Sequence, residues 1–266
     1  MTAGSDGRRR APSFDATWDR YLASYHTAHP GITERILARA RHATAGSPYS
    51  WLRAAIPPDP GAVVDVACGS APLHPLLPDA VSYLGIDRSR AELSYAAGQG
   101  RGPLVTADAL SLPLPSGSVD VVACSMAVML LQPIDAALAE VARVLRPGGR
   151  FVTMRPVGTP FRPADLRVAG TLVASLRHTP EMPQRFSGSG LRARLQRAGL
   201  RVTSDEALRF VHPLESAADA GCAVEALYLP HVGDDRRRTA AVALARIARP
   251  GRELPIPLRR TVARRG

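Results

Sequence analysis

Three acidic residues, each at the end of a short apolar run, have the spacing of a ligand site. Asp65 ends AVVD at 62–65, Asp87 ends LGID at 84–87, and Asp108 ends LVTAD at 104–108. Short apolar, β-branched runs are typical of parallel strands that are buried on both faces. Open α/β sheets bind their ligands at the carboxyl ends of such strands. The three carboxylates are therefore predicted to lie at one edge of a parallel sheet, beside a bound ligand.

The turn after the first run, CGSAP at 68–72, indicates which kind of ligand this is. Its small residues follow the series Asp65-x-Ala67-x-Gly69-x-Ala71, whereas a dinucleotide site needs G-x-G-x-x-G facing a pyrophosphate. A carboxylate at the mouth would repel a pyrophosphate, but it favours a ligand with an ammonium or sulfonium charge. The sequence therefore favours a cationic cofactor.

Four segments in this order resemble the class I S-adenosylmethionine-dependent methyltransferases. They are VVDVACGSAP, LGIDRS, ADALSLPLPSGSVDVVACSMAVMLL and LAEVARVLRPGGRFVTMRP, within about residues 60–156. Within that family the chain is similar to the small-molecule type that includes the ubiquinone and menaquinone C-methyltransferases. The resemblance implies an α/β fold: a Rossmann-like, doubly wound, seven-stranded and mostly parallel sheet with an antiparallel edge strand, plus an N-terminal helical lid. It also implies S-adenosyl-L-methionine as the cofactor.

The resemblance places the cofactor contacts at the ends of the first four strands. Asp87 suits the ribose diol, because a carboxylate can accept hydrogen bonds from two vicinal hydroxyls, and Asp108 matches the family position that binds the adenine amino group. The third small position of the loop is usually Gly in the family and is Ala71 here, which predicts weaker binding or a shifted loop. The implied cofactor-binding residues are Asp65, Ala67, Cys68, Gly69, Asp87, Arg88, Asp108, Ala109, Cys124 and Ser125.

The chain divides into three parts by composition and periodicity. Residues 1–12 are predicted to be a disordered leader. Residues 13–56 carry an aromatic stripe at helical spacing and are predicted to form a helical lid, although the stripe could equally serve to cover the sheet. Residues 57–266 are the expected S-adenosylmethionine-binding domain, with late insertions at about 156–190 and 212–250 that shape the acceptor pocket.

Residues for the acceptor are less clearly marked than those for the cofactor. Four histidines are candidate proton acceptors, and the sequence does not choose among them: His26, His29, His74 and His178. The candidate substrate contacts are Trp18, Tyr21, Tyr25, Met126, Met129 and Arg155, the last for an anionic group. For these side chains core packing or solvent exposure is the alternative interpretation. The cysteines at 68, 124 and 222 lack metal-ligand spacing, so no metal is expected and a reducing cytoplasm fits best.

The charge of +11 comes from 34 basic residues, all of them arginine and spread along the chain. A nucleic-acid partner is therefore not expected, and no apolar run is long enough to suggest a membrane span. We expect a monomer or homodimer.

The leading hypothesis is methyl transfer to a small, fairly apolar metabolite through an O-, C-, S- or N-acceptor, with secondary metabolism as the expected setting. The alternatives are an RNA methyltransferase and a cofactor-binding fold without methyl transfer, such as a binding module or a cyclase.

Overall fold

One seven-stranded sheet organises the chain. The computed structural model describes residues 16–159, 161–186 and 189–266, so the predicted leader at 1–12 lies outside the described residues. The strands occur in the order β3-β2-β1-β4-β5-β7-β6. They are β1 (Ala62–Val66), β2 (Ser82–Asp87), β3 (Leu104–Thr106), β4 (Val119–Ser125), β5 (Leu145–Pro156), β6 (Leu200–Pro213) and β7 (Glu253–Arg265).

The first five strands are parallel to one another, whereas β7 runs antiparallel to both β5 and β6. The predicted Rossmann-like, mostly parallel sheet is thus confirmed. The antiparallel strand β7 lies one position inside the edge, and β6 forms the edge itself. This order puts β1 and β4 at the centre, where chain connections leave in opposite directions and ligands of open sheets bind.

Nine helices within the described residues surround the sheet. They are α1 (Ala16–Ala28), α2 (Ile32–Arg39), α3 (Pro48–Arg53), α4 (Arg90–Gly98), α5 (Ile134–Val144), α6 (Asp165–Leu176), α7 (Gly190–Arg197), α8 (Ala217–Glu225) and α9 (Asp234–Ile247). Val63 and Val121 pack in one core with the N-terminal helices, whereas Val64 and Val122 pack in a second core with α5 and α7. Successive strand residues point to opposite faces, which explains the continuous apolar runs.

The N-terminal segment forms α1, α2 and α3. Helix α2 ends at Arg39, because Ala40 is extended and Arg41 pairs with Val211 of β6. After Pro72 the chain forms a single 3-10 turn, His74–Leu76. Proline at position 75 lies inside this turn, and another at 78 follows it, so the turn cannot propagate.

Candidate functional site

A cavity of about 610 Å³ lies between α1 and the carboxyl ends of the central strands. Its floor is the loop after β1, and its sides are the segments after β2, β3 and β4. Helix α1 closes it from above through residues such as Leu22 and His26. Its volume is in the range of pockets for small organic ligands.

The loop after β1 has an alternating backbone geometry. Ala67, Gly69 and Ala71 all have positive φ angles, of 53°, 55° and 52°. Glycine adopts this left-handed region freely, whereas a side chain with a Cβ is strained there. The loop therefore holds two alanines in a conformation that glycine adopts more easily.

Two backbone amides hold the carboxylate of Asp87 in place. Its Oδ2 accepts from the Gly69 amide at 2.8 Å, and its Oδ1 accepts from the Ser89 amide at 2.8 Å. Burial raises the pKa of Asp87, and these two hydrogen bonds oppose the rise. Each carboxylate oxygen keeps a second lone pair, so the fixed side chain can still accept from a ligand hydroxyl in the cavity.

Two further polar groups face the same cavity. Asp108 accepts from the Leu110 amide through Oδ1 at 2.9 Å, which orients its carboxylate after β3. Ser125, at the end of β4, has a buried Oγ with no hydrogen-bond partner among the described residues. A buried hydroxyl without a partner is costly, so a polar ligand group at Ser125 would restore the missing bond. With the fixed Asp87, these residues fit an adenosyl cofactor that carries a ribose and a polar amino acid part.

Of the ten predicted cofactor residues, eight line this cavity, whereas Asp65 and Cys124 lie behind its wall. Asp65 is 0% exposed and accepts a hydrogen bond from the Tyr83 hydroxyl at 3.3 Å. Burial raises the pKa of Asp65 to about 7, and the nearby Asp87 adds to the rise, whereas the Tyr83 hydrogen bond lowers it. Asp65 was predicted to contact the ligand, but its side chain is buried beneath the loop and does not line the cavity.

Among the four histidines proposed as proton acceptors, His26 lines the cavity. Its Nδ1 lies 2.9 Å from Oε1 of Glu92, and its Nε2 lies 3.3 Å from the Tyr228 hydroxyl. The other Glu92 oxygen accepts from the Gly31 amide at 2.9 Å. Glu92 and Tyr228 also line the cavity.

The other three histidines contact protein groups elsewhere. The ring of His29 lies 5.4 Å from that of Tyr25, and the ring of His74 lies 4.9 Å from that of Tyr83. His178 is 3.2 Å from Glu181. Within the described chain none of these three is among the residues that line the cavity.

The predicted aromatic contacts form a cluster that anchors α1. Tyr25 donates to the Glu225 carbonyl at 2.6 Å, and Tyr21 accepts from the Leu229 amide at 2.7 Å. Trp18 packs edge-on against Tyr21, at 5.6 Å between ring centroids. These three rings lie outside the lining of the described cavity and attach the helix that covers it.

The remaining predicted substrate residues are divided in the same way. Met126 lines the cavity with a φ of 58°, and its amide donates to the Met154 carbonyl at 2.7 Å. Met129 is buried in the core. Arg155 is 6% exposed, lies 5.6 Å from the Phe186 ring centroid, and has an Nε without a partner among the described residues. Burial and the nearby Arg259 lower the pKa of Arg155.

Glu92 and Tyr228 were missed by the sequence analysis. Glu92 belongs to the first turn of α4, shortly after Asp87, so its place near the mouth could have been suspected. Tyr228 lies 202 positions from His26, and no local pattern brings the two together.

The described residues contain no group of His, Cys, Asp or Glu suited to a metal ion. In the same part of the chain no helix is both long and apolar enough to cross a bilayer.

Comparison with known proteins agrees with this geometry. Residues 64–153 match the family model described as a methyltransferase domain. The ubiquinone/menaquinone biosynthesis C-methyltransferase UbiE of Methylobacterium nodulans is 41% identical over 73 residues, which cover 27% of this chain and 28% of that protein. The demethylmenaquinone methyltransferase of Thermus thermophilus is 28% identical over 184 residues, which cover 59% and 84%.

Among solved structures, the 4+2 cyclase SpnF has a TM-score of 0.60 at 17% identity, covering 94% of this chain and 97% of that one. At that identity the likeness shows the fold alone. The chain spans between 28% and 44% of the length of four of the curated methyltransferases it matches. Residues 64–153 therefore match a methyltransferase domain, the chain is similar to class I S-adenosylmethionine-dependent methyltransferases such as UbiE, and this similarity implies S-adenosylmethionine as the cofactor.

Proposed function

We propose that this protein transfers a methyl group from S-adenosylmethionine to a small, fairly apolar acceptor. The proposal rests on one observation: the cavity has a polar wall and an apolar wall. Gly69, Asp87 and Asp108 form a polar wall on the side of β1, β2 and β3, and Met126, Leu130 and Leu131 form an apolar wall after β4. Such a cavity can hold a polar cofactor next to an apolar acceptor.

When bound, S-adenosylmethionine supplies an electrophilic methyl group, so the chain's main tasks are orientation and exclusion of water. Asp87 would bind the ribose hydroxyls, Asp108 the adenine, and Ser125 a polar group of the amino acid part. Helix α1 covers the cavity and is attached to the sheet side by an ion pair between Arg88 and Asp19 and by a hydrogen bond between His26 and Glu92. These contacts support a role for α1 as a lid.

We further propose that the acceptor is a small molecule of secondary metabolism and that its methylation takes place in the cytoplasm. The curated relatives are named for ubiquinone, menaquinone and malonyl-acyl-carrier-protein methylation, which supports small or carrier-bound acceptors. An RNA acceptor is the second candidate, favoured by the charge of +11. RNA binding would weaken steeply with added salt, because bound counterions are released, whereas methylation of a small acceptor would depend little on salt.

The test is incubation with methyl-labelled S-adenosylmethionine and a panel of phenols, thiols, carboxylic acids, amines and activated carbon acids. The proposal expects label in at least one small acceptor. Cofactor binding with no label in any acceptor would instead favour a fold that binds the cofactor without methyl transfer, as a binding module or cyclase.

A further inference from the structure

Three side chains from distant parts of the sequence form a hydrogen-bonded chain that opens into the cavity. Glu92 lies on α4, His26 on α1, and Tyr228 on the segment after α8. The contacts run from Glu92 Oε1 to His26 Nδ1 at 2.9 Å, and from His26 Nε2 to the Tyr228 hydroxyl at 3.3 Å. The three residues are distinct from Asp87 and Asp108, which are assigned to the cofactor.

The direction of the chain follows from its anchored end. Glu92 is buried, and its second oxygen already accepts from the Gly31 amide. An ionised carboxylate only accepts hydrogen bonds, so Nδ1 of His26 carries the proton in this pair. The Nε2 of a neutral ring is then an acceptor, and the Tyr228 hydroxyl donates to it.

Polar and aromatic groups surround His26. Glu92 bonds to it from α4, Asp87 lies within electrostatic reach of it, and the rings of Tyr25 and Tyr228 flank it at 5.2 Å and 6.0 Å. Thr33 is a further hydrogen-bond partner of the Tyr228 hydroxyl. Tyr228 has a raised pKa because of burial and the nearby Glu92, so it passes protons rather than resting as an anion.

We propose that Tyr228, His26 and Glu92 form a proton relay that removes the proton of a hydroxyl acceptor, so that the substrate is a phenol or a similarly acidic alcohol. This inference rests on the proposed function and deepens it. The acceptor oxygen gives its proton to the Tyr228 oxygen, and Tyr228 gives its own proton to Nε2 of His26. A new oxygen to methyl carbon bond replaces the lost O–H bond, and the cofactor sulfur keeps the electron pair of the broken carbon–sulfur bond. The imidazolium, whose side chain is 21% exposed, then releases the proton to water.

The first test needs no turnover. The probe is 4-nitrophenol, whose visible absorbance reports its ionisation, added to the protein saturated with S-adenosylhomocysteine. The relay predicts that bound probe is more ionised than free probe at the same pH, and that His26→Gln and Tyr228→Phe remove the difference. The neutral ether 4-nitroanisole should show no such change. Absence of a spectral change up to the solubility limit, or the same change in both variants, overturns the relay.

The second test uses the phenol panel and compares kcat with KM. His26→Gln and Tyr228→Phe should lower kcat by about 100-fold or more, with a smaller change in KM and unchanged affinity for S-adenosylhomocysteine. Glu92→Gln should give an intermediate loss, because its amide can still accept from Gly31 but does not stabilise an imidazolium. His231→Gln and Tyr95→Phe are matched controls, since neither residue lines the described cavity.

The outcomes separate the two proposals. If wild-type protein methylates no acceptor at all, the proposed function fails and the relay fails with it. If wild-type protein methylates a phenol and both His26→Gln and Tyr228→Phe keep its kcat, the relay alone is wrong. Methylation of tertiary amines in preference to phenols would also overturn the relay, because such amines have no proton to remove.

Discussion

Replacing Asp65 by Asn should change how the stability of the protein depends on pH. The folded pKa of Asp65 is raised from 3.8 to about 7, mainly because its carboxyl is 0% exposed. Above about pH 4 the unfolded chain has lost this proton, whereas the folded protein keeps it. The wild-type free energy of unfolding therefore falls as the pH rises from about 4 towards 7, and this contribution levels off above the folded pKa.

The size of this effect follows from the two pKa values. At about 1.4 kcal/mol for each pKa unit, the full penalty on the charged form is roughly 4 kcal/mol. Between pH 5 and pH 8 the expected loss is roughly 2–3 kcal/mol, because part of the titration lies below pH 5. Asparagine cannot ionise, and its amide oxygen can still accept from Tyr83, so the Asn variant should lack this loss.

Urea unfolding at pH 5, 6, 7 and 8, at one ionic strength, measures the difference. The other titrating groups are common to both proteins, so their contributions cancel when the two free energies are subtracted, except for that of Asp87, which interacts with Asp65. Tyr83→Phe is the complementary variant: it removes the hydrogen bond that lowers the Asp65 pKa, so its stability should continue to fall above pH 7. Parallel pH profiles for the wild type and Asp65→Asn would refute the argument from burial.

Four further substitutions, one of them a control, test other parts of the structure. Asp87→Ala should weaken binding of S-adenosylhomocysteine at least tenfold in calorimetry, whereas Asp120→Ala, which removes bonds to Arg146 and the Ala62 amide, should lower stability and leave affinity unchanged. Ala71→Gly relieves the backbone strain of a φ of 52° and should raise the free energy of unfolding in urea by up to about 1 kcal/mol. If the variant instead loses as much stability as a glycine costs in a helix, the argument that Ala71 is strained is wrong. Arg155→Met should keep or raise the thermal midpoint, because the guanidinium is buried and the nearby Asp205 is paired with Arg259 instead. A fall of several degrees would show that the charge is stabilising.

The fold could be predicted because its determinants are local. Each central strand is a short β-branched run that ends in a carboxylate or a small-residue turn, and the helix at 134–144 has apolar residues at regular spacing. Helix ends were less predictable. The end of α2 depends on a bridge from Arg41 to Val211, a contact between distant parts of the sequence.

The polar wall of the cavity was also accessible from the sequence, because Gly69, Asp87 and Asp108 follow strands whose carboxyl ends must meet. Asp65 shows where this reasoning stops. A carboxylate at the end of a strand can point to the cavity or to the core, and the direction depends on Tyr83, which comes from the neighbouring strand.

The choice of His26 among four histidines could not be made from the sequence either. It depends on Glu92 and Tyr228, which come from elements far apart along the chain. Spacing cannot report such a meeting, and the aromatic stripe in the same helix pointed to Trp18, Tyr21 and Tyr25 instead. In the fold those rings anchor the helix, and the residue between them and the cavity is His26.

The central claim is that the cavity beneath α1 binds S-adenosylmethionine. The most direct measurement is thermal unfolding with and without S-adenosylmethionine and S-adenosylhomocysteine. A ligand at about one hundred times its dissociation constant adds roughly 2.7 kcal/mol to the free energy of unfolding, which for a chain of this size raises the midpoint by several degrees. We expect that rise with both ligands in the wild type and its loss in Asp87→Ala. No rise with either ligand would contradict the assignment of the cavity.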